Sequence, residues 1–316
     1  FGTLDELFEA LTLRQTGKIN KPMPTVLFGS GYWNEIMNIP KMVEWGTISE
    51  KDLDMFIVTD SVEEAFDYLV SEIEAIEAAK NSDVRLYEAY TALWPESELE
   101  KLEAMVGPIE RVMRPAVERP EELFQRAQTT SIAILVVGDP MQATTHIDFQ
   151  LRAEKQGLPC RVIHGISVTT LVPGSTGLSD YKFGRSTTLT YPYGDWIVTS
   201  PLEVMLRNQM QGLHTLVLFD LDPTGAGTGD QRPMQPSDAL ASIEKMAAKL
   251  RDSVVDDVIK EQAGSVFDSM CVLCSDLGTD DALMKTTTIR NLGELSGGRL
   301  NCMVFLASIS EMEQEA

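Results

Sequence analysis

Basic residues are scarce in this chain, which carries 26 Lys and Arg against 48 Asp and Glu, a formal net charge of −22. No basic tract exists, and with it goes the electrostatic footprint of a nucleic-acid-binding protein. The deficit is not local: residues 1–80 hold 6 Lys and Arg with 15 Asp and Glu, and the remainder hold 20 and 33. Even acidity of this kind suits a salt-adapted protein; an acidic face for a basic partner is the alternative. Cysteine is as sparse, with Cys160, Cys271, Cys274 and Cys302 in 316 residues. Four thiols cannot staple a chain this long, so a reducing cytoplasm is expected. No apolar run approaches the ~18 residues that a membrane span requires. The chain opens on Phe instead of Met and shows no signal peptide, so it reads as a fragment. Apolar residues make up 43% of it, enough to bury a core in each of two units.

The pattern alternates strands and helices, the mark of an α/β fold. Its organising stretch is VVGDPMQATTH, residues 136–146. Ile132 to Val137 reads as a buried parallel strand. Gly138-Asp139-Pro140 stops it, and Ala143 to His146 opens a helix that continues from Ile147 to Gln156. Ligands in open α/β sheets bind at the carboxyl ends of strands, where this turn lies. Gly138 permits close backbone approach and Asp139 can accept hydrogen bonds. An ordinary surface turn would look the same.

Upstream, FGTLDELFEALT predicts a helix with Leu4, Leu7, Phe8 and Leu11 on one face. Thr3 and Glu6 have capping-box spacing. Short strands are expected at 25–29 and 55–58, and one helix from Val62 to about Lys80. A strand at Val84 to Tyr87 ends in Glu88-Ala89-Tyr90-Thr91, and Pro95 to Met105 and Pro120 to Ala127 read as helices. Arg161 to His164 reads as a strand and 173–177 as a loop. Further strands are expected at Thr187 to Tyr191, Leu213 to Phe219, Met270 to Ser275 and Cys302 to Leu306. Helices are expected at Pro201 to Gln211 and from a Ser237-Asp238 cap to about Leu250. Residues 222–236 read as a flexible Gly/Pro loop, and the acidic tail as frayed.

Several blocks, RLYEAYT (85–91), GDPMQATTH (138–146), GLPCRVIHGISV (157–168), YKFGR (181–185) and GLHTLVLFDL (212–221), stand in an order that resembles the diphthine synthases, methyltransferases of the tetrapyrrole-methylase type. The resemblance spans about residues 74–306. It implies a two-lobed methyltransferase, commonly a homodimer, that uses S-adenosylmethionine. It also implies an acceptor amine on the modified histidine of elongation factor 2. Matched residue by residue, the cofactor contacts are Gly138, Asp139, Gln142, Ser167, Val168, Leu218, Ser275 and Asn301. Asn301 stands where many members have His, so it can hydrogen-bond but not titrate.

A second resemblance covers the start. FGTLDELFEALT, VLFGSGYW and WGTISEKDLDMFIVTDSVEEAF are similar to the carboxyl-terminal half of the LOG family, nucleoside 5′-monophosphate phosphoribohydrolases once described as lysine decarboxylases. Phe1, Gly2, Thr3 and Glu6 match the end of its PGGxGTxxE signature, and Glu6 the family's catalytic glutamate. The preceding glycines that would hold phosphate are not in the chain. The first strand and glycine-rich turn of the methylase pattern are also missing, and strand 25–29 or 55–58 is a candidate to replace that strand.

The expected fold is therefore α/β, a two-lobed tetrapyrrole-methylase-like methyltransferase preceded by a partial Rossmann-like segment. The expected divisions are 1–79, 80–177 and 178–316. Glu88 and Tyr90 are the candidate catalytic pair, since an amine must lose a proton before it attacks and a carboxylate can take it; a solvated strand end is the alternative. Arg185 can grip a substrate carboxylate or sit in a structural ion pair. His146 can face substrate or pack at a helix start, and His164 and His214 read as core residues. Cys271 and Cys274 lie at i and i+3 of a strand, on opposite faces, so they read as inert thiols and no metal site is expected. The rival functions are a LOG-like phosphoribohydrolase and an inactive fusion or binding protein.

Overall fold

The computed structural model describes residues 2–16, 18, 23–71, 73–225, 231–252, 257–279 and 281–315. Phe1, residue 72 of the expected long helix, and residues 226–230 of the expected Gly/Pro loop lie outside them. The chain divides into two compact units. One comprises Phe1–Arg85, Glu96–Ile109 and Thr130–Ala133; the other comprises Leu86–Pro95, Glu110–Thr129 and Ile134–Ala316.

The first unit begins with α1 (Gly2–Gln15), β1 (Thr25–Phe28), α2 (Ser30–Ile36), α3 (Ile39–Glu44), β2 (Phe56–Thr59), α4 (Val62–Ser71) and α5 (Glu74–Lys80). Strands β1 and β2 pair in parallel with each other, Thr25 opposite Phe56 through Phe28 opposite Thr59. They form a two-stranded sheet of their own, so neither replaces a missing strand of the methylase sheet. Leu7, Leu27, Trp33 and Met37 form the small core, with Leu4 and Leu11 against it. Phe8, expected on that face, is 41% exposed. The helix already includes Gly2, which puts Thr3 inside the first turn and not at the cap. The helix expected over 62–80 is two helices, because Ile73 leaves helical geometry at φ −63°, ψ 130°. The Arg85 guanidinium then caps α5 by donating to the Ala79 and Lys80 carbonyls.

The next elements are β3 (Val84–Glu88), α6 (Glu96–Val106), β4 (Glu110–Val112), α7 (Arg114–Glu118), α8 (Glu121–Ala127), β5 (Ile132–Leu135) and α9 (His146–Lys155). The three strands form a sheet in the order β4-β3-β5, with β3 and β4 parallel. β5 stops at Leu135, two residues short of the expected Val137, which is 37% exposed. The strand expected at Arg161 to His164 does not form; the segment runs irregularly to α10 (Val168–Thr176). The loop expected at 173–177 is the end of that helix. Pro173 lies inside it, and buried Val172 anchors it until Gly177, at φ +68°, ends it.

The second sheet is built from β6 (Thr187–Leu189), β7 (Thr215–Phe219), β8 (Met270–Ser275), β9 (Leu283–Thr288) and β10 (Asn301–Phe305), and its helices are α11 (Ser200–Met210), α12 (Pro236–Arg251) and α13 (Asp257–Ser265). The strand order is β6-β7-β10-β8-β9. Strand period two sorts its side chains cleanly. Val217, Cys271, Leu273, Met303 and Phe305 join the cluster that Ile243, Met246 and Leu250 of α12 complete. Leu216, Val272, Cys274, Cys302 and Val304 join the cluster that holds Val172 of α10. Cys271 and Cys274 therefore belong to opposite clusters as reduced, buried thiols. Gln235 caps α12, with Pro236 at its first position and Asp238 completing the capping box, two residues ahead of the expected Ser237 cap.

The acidic tail is not frayed. It forms α14 (Glu311–Glu315), and its Glu313 is buried. That carboxylate accepts from Lys182 Nζ, from the Ser179 and Ser310 backbone N–H groups, from the Ser310 hydroxyl and from His214 Nε2. No partner for it is visible in the sequence, since its anchors on other elements, His214, Lys182 and Ser179, lie 99 to 134 residues away in the chain.

Candidate functional site

Glu88 is the last residue of β3, and its side chain is fully buried. One carboxyl oxygen, Oε2, accepts from Thr91 Oγ1 at 2.8 Å; the other, Oε1, has no partner. Burial pushes its pKa up to about 7, against the opposing pull of the Thr91 bonds and the Arg114 charge. Tyr90 follows two residues later, 6% exposed, with an unpartnered hydroxyl. Burial and the neighbouring Glu88 charge raise that phenol beyond its ordinary range. Arg114 opens α7 and holds its guanidinium carbon 5.4 Å from the centre of the Tyr90 ring.

His146 opens α9 and is 8% exposed. Its Nδ1 lies 2.8 Å from the Pro140 carbonyl oxygen. A carbonyl only accepts, so Nδ1 carries a proton and Nε2 is the ring nitrogen left to face Glu88. That Nε2 stands 3.9 Å from Glu88 Oε2. Arg114 Nε, Thr144 Oγ1 and His146 Nε2 join Glu88 Oε1 and Tyr90 OH as buried polar atoms without hydrogen-bond partners. Native interiors leave few such atoms, and a group of them points to a function.

The Gly-Asp-Pro turn leads out of β5 towards α9. Asp139 Oδ1 accepts from the Met141 N–H at 2.8 Å, and Oδ2 pairs with His164 Nδ1 at 2.8 Å. The Met141 N–H lowers its pKa first; burial opposes, and His164 adds to the lowering. His164 is thus a surface partner of Asp139 with a 70% exposed side chain, not the expected core residue. The turn is pressed against the segment before α10. A Cβ placed on Gly165 would stand 2.1 Å from the Gly138 oxygen, and one on Gly138 would stand 3.6 Å from the Ile166 oxygen. Gly138 itself has φ +90°. Gly138, Asp139, Ser167 and Val168 therefore come together, with Ser167 capping α10 through Thr169 N at 3.3 Å. Gln142 is exposed beside them, and Ala143 carries an unusual φ of +53°.

Residues 73–293 match the family described as Tetrapyrrole (Corrin/Porphyrin) Methylases. The chain belongs to that family. Its methylase part is of the diphthine synthase kind. The diphthine synthase of Methanocella arvoryzae is 32% identical over 248 residues, covering 77% of this chain and 90% of that protein. That of Methanosphaerula palustris is 33% identical over 245 residues, with coverages of 77% and 90%. A crystal structure of a diphthine synthase matches with a TM-score of 0.64 at 30% identity, over 77% of this chain and 87% of that one. Residues 1–69 match a different family, described as Possible lysine decarboxylase. The methylase is thus an S-adenosylmethionine-dependent methyltransferase, and its α/β fold is that of its relatives.

The second sheet of this methylase gathers the remaining expected cofactor residues. Leu218 of β7 and Val168 pack against the same apolar cluster. Ser275 and Asn301 face each other across β8 and β10, and the Ser275 hydroxyl donates to Asn301 Oδ1 at 2.7 Å. Asn301 Oδ1 also accepts from Gly298 N at 2.8 Å, while Nδ2 donates to the Met234 and Gly298 carbonyls at 3.1 Å each. All four of its hydrogen-bonding positions are filled inside the protein. Asn301 therefore holds the 296–301 loop in place.

These residues fit a sulfonium nucleoside in kind: an apolar wall at Val168 and Leu218, acceptors at Asp139 and Ser167, and the buried, unpartnered Thr144 hydroxyl just beyond the turn. Among the described residues no cluster of His, Cys, Asp and Glu could hold a metal, and no helix is long and apolar enough to cross a membrane.

Arg185 is exposed, and among the described residues its guanidinium has no carboxylate partner. Its carbonyl instead accepts from Asn208 Nδ2 at 2.9 Å. His214, fully buried, is the core residue expected, with Ala307 N donating to its Nδ1. Gly2, Thr3 and Glu6 are exposed on α1, and a groove of about 370 Å³ on that helix is lined by Asp5, Phe8, Glu9, Thr12 and Leu13 instead. Sequence reasoning missed Arg114 and Thr144. Nothing in RVMRP marks Arg114; only the parallel pairing of β4 with β3 carries it to Glu88.

Proposed function

We propose that this methylase acts in diphthamide formation, transferring methyl groups from S-adenosylmethionine to the amino group of the modified histidine of elongation factor 2. The curated relatives quoted above carry the name diphthine synthase, which supports the assignment. The observation that carries it is Glu88, a buried carboxyl with a free oxygen and a pKa of about 7 at the carboxyl end of β3. S-adenosylmethionine, when bound, supplies an electrophilic methyl group on a leaving group that needs no protonation. What remains for the protein is to position the amine, exclude water and remove a proton. Glu88 at that pKa is a base matched to neutral conditions, because it is ionised at working pH yet still has affinity for the proton. Tyr90 stays protonated, its hydroxyl free to meet the substrate. The Gly138 to Gln142 turn, Ser167, Val168 and Leu218 would hold the methyl donor. The protein would work as a cytoplasmic homodimer, where the elongation factor is found.

Two measurements test this. Titration calorimetry with S-adenosylhomocysteine at high salt gives micromolar binding that Asp139→Ala weakens at least tenfold in a folded variant. Labelled methyl then passes from S-adenosylmethionine to elongation factor 2 bearing the precursor histidine, and not to factor in which that histidine is replaced. A folded chain that binds no S-adenosylhomocysteine would sink the reading.

A further inference from the structure

His146 joins the two halves of the Glu88 cluster. Its Nδ1 is tied to the Pro140 carbonyl in the turn that follows β5, and its Nε2 faces the Glu88 carboxylate at the end of β3 at 3.9 Å. Both groups are buried; Nε2 has no hydrogen-bond partner, and the Oε2 that faces it accepts from Thr91 alone. Two acceptors at this separation repel weakly, and a single proton placed on either makes them attract.

The other groups that face the pair cannot take that proton. Arg114 is a permanent cation, with Glu118 3.9 Å behind it on α7. The Tyr90 phenol is held in its neutral form by burial. The Thr91 hydroxyl is not basic. His146 Nε2 is the basic atom beside Glu88, with its tautomer already fixed by Pro140.

We infer that His146 is the relay partner of Glu88: the proton that Glu88 takes from the acceptor amine passes to His146 Nε2, which restores the carboxylate. This rests on the reading of Glu88 as the base. The amine N–H bond breaks as an O–H bond forms on Glu88. That O–H bond then breaks as Nε2–H forms, giving an imidazolium whose Nδ1–H stays on Pro140 and whose charge faces the carboxylate. The imidazolium then loses that proton to solvent water, which returns the ring to its neutral form and completes the balance. His146 thus acts through Glu88.

The test compares wild type, His146→Gln and Glu88→Gln across pH, with elongation factor as acceptor. His146→Gln lowers kcat about 30-fold at pH 7, with the acceptor KM and the S-adenosylhomocysteine Kd each within threefold of wild type. The deficit shrinks towards unity as pH rises to about 10, because the amine then arrives already deprotonated. A merely structural role would give a deficit that does not vary with pH, and that result overturns the relay. A second readout needs no turnover. The chain has three histidines, so His146→Gln assigns the His146 ring in a nitrogen-15 histidine spectrum. The neutral ring carries its proton on Nδ1; a proton on Nε2 overturns the relay whatever the acceptor proves to be. Absence of methyl transfer by wild type counts against the elongation-factor assignment alone, and the tautomer still decides the relay. Full activity in Glu88→Gln removes the base, and the relay with it.

Discussion

Two glutamates of the second unit are buried, and they are opposites. Glu313 accepts five hydrogen bonds from four residues, and although burial works against it, Lys182 and the Ser310 and Ser179 N–H groups drive its pKa well below the ordinary carboxylate value. Glu88 accepts one bond, from Thr91, and burial drives its pKa up to about 7. Burial is common to both; the difference is the number of donors the fold supplies. A carboxylate given every donor it can use is a structural clasp. One left with a free oxygen among other unpartnered polar atoms is held ready for a ligand, at a cost in stability.

The largest effect expected is on activity. Glu88→Gln lowers methyl transfer at pH 7 by roughly 10²- to 10⁴-fold, the range for loss of a positioned base. The same variant breaks the comparison if its stability behaves like that of a clasp mutant. The folded-state pKa of Glu88 lies above its unfolded value of 4.5, so the native state binds the extra proton between those values and stability falls as pH rises from 4.5 to about 7. At about 1.4 kcal/mol per pKa unit this costs roughly 3 kcal/mol above pH 7. Urea unfolding at pH 5 and pH 8 therefore shows a wild-type loss that Glu88→Gln abolishes.

Glu313→Ala is next. It leaves His214 and Lys182 facing a buried gap and costs roughly 3–5 kcal/mol by urea unfolding, with the S-adenosylhomocysteine Kd unchanged. The sign with pH is opposite to that of Glu88. The depressed pKa of Glu313 contributes stability that is complete above its unfolded value of 4.5 and is lost as pH falls below it. A variant as stable as wild type at neutral pH would show that the clasp contributes nothing.

Asn301→Ala is expected to cost about 2 kcal/mol, since four internal hydrogen bonds go and the Ser275, Gly298 and Met234 groups are left unpaired. Cofactor affinity falling by more than tenfold with no stability loss would instead put Asn301 in direct contact with ligand. Smallest is Arg114→Met. Removing its charge raises the Glu88 pKa further, so the acid limb of the pH–rate profile moves to higher pH.

The periodic elements were legible because local chemistry repeats along them. The apolar spacing of 239, 243, 246 and 250 gives α12, and period two gives β7, β8 and β10. Family blocks identified the methylase because several segments agree in order. Less legible were the places where distant contacts override local rules. Pro173 sits inside α10 because Val172 is buried against the second sheet, and β9, with exposed Leu283 and Met284, lacks the apolar signature of a strand.

For this protein the sequence by itself determined the class of fold and the methylase family, since these follow from composition, spacing and motif order. Only the tertiary structure decided that Glu88 is short of donors and Glu313 saturated, that Asn301 is filled by Ser275, Met234 and Gly298, that Arg114 lies over Tyr90, and that His146 stands beside Glu88. Those outcomes depend on which donors and acceptors the fold brings within about 3 Å, and hydrogen bonding at that range is set by strand pairing and helix docking, not by neighbours in the chain.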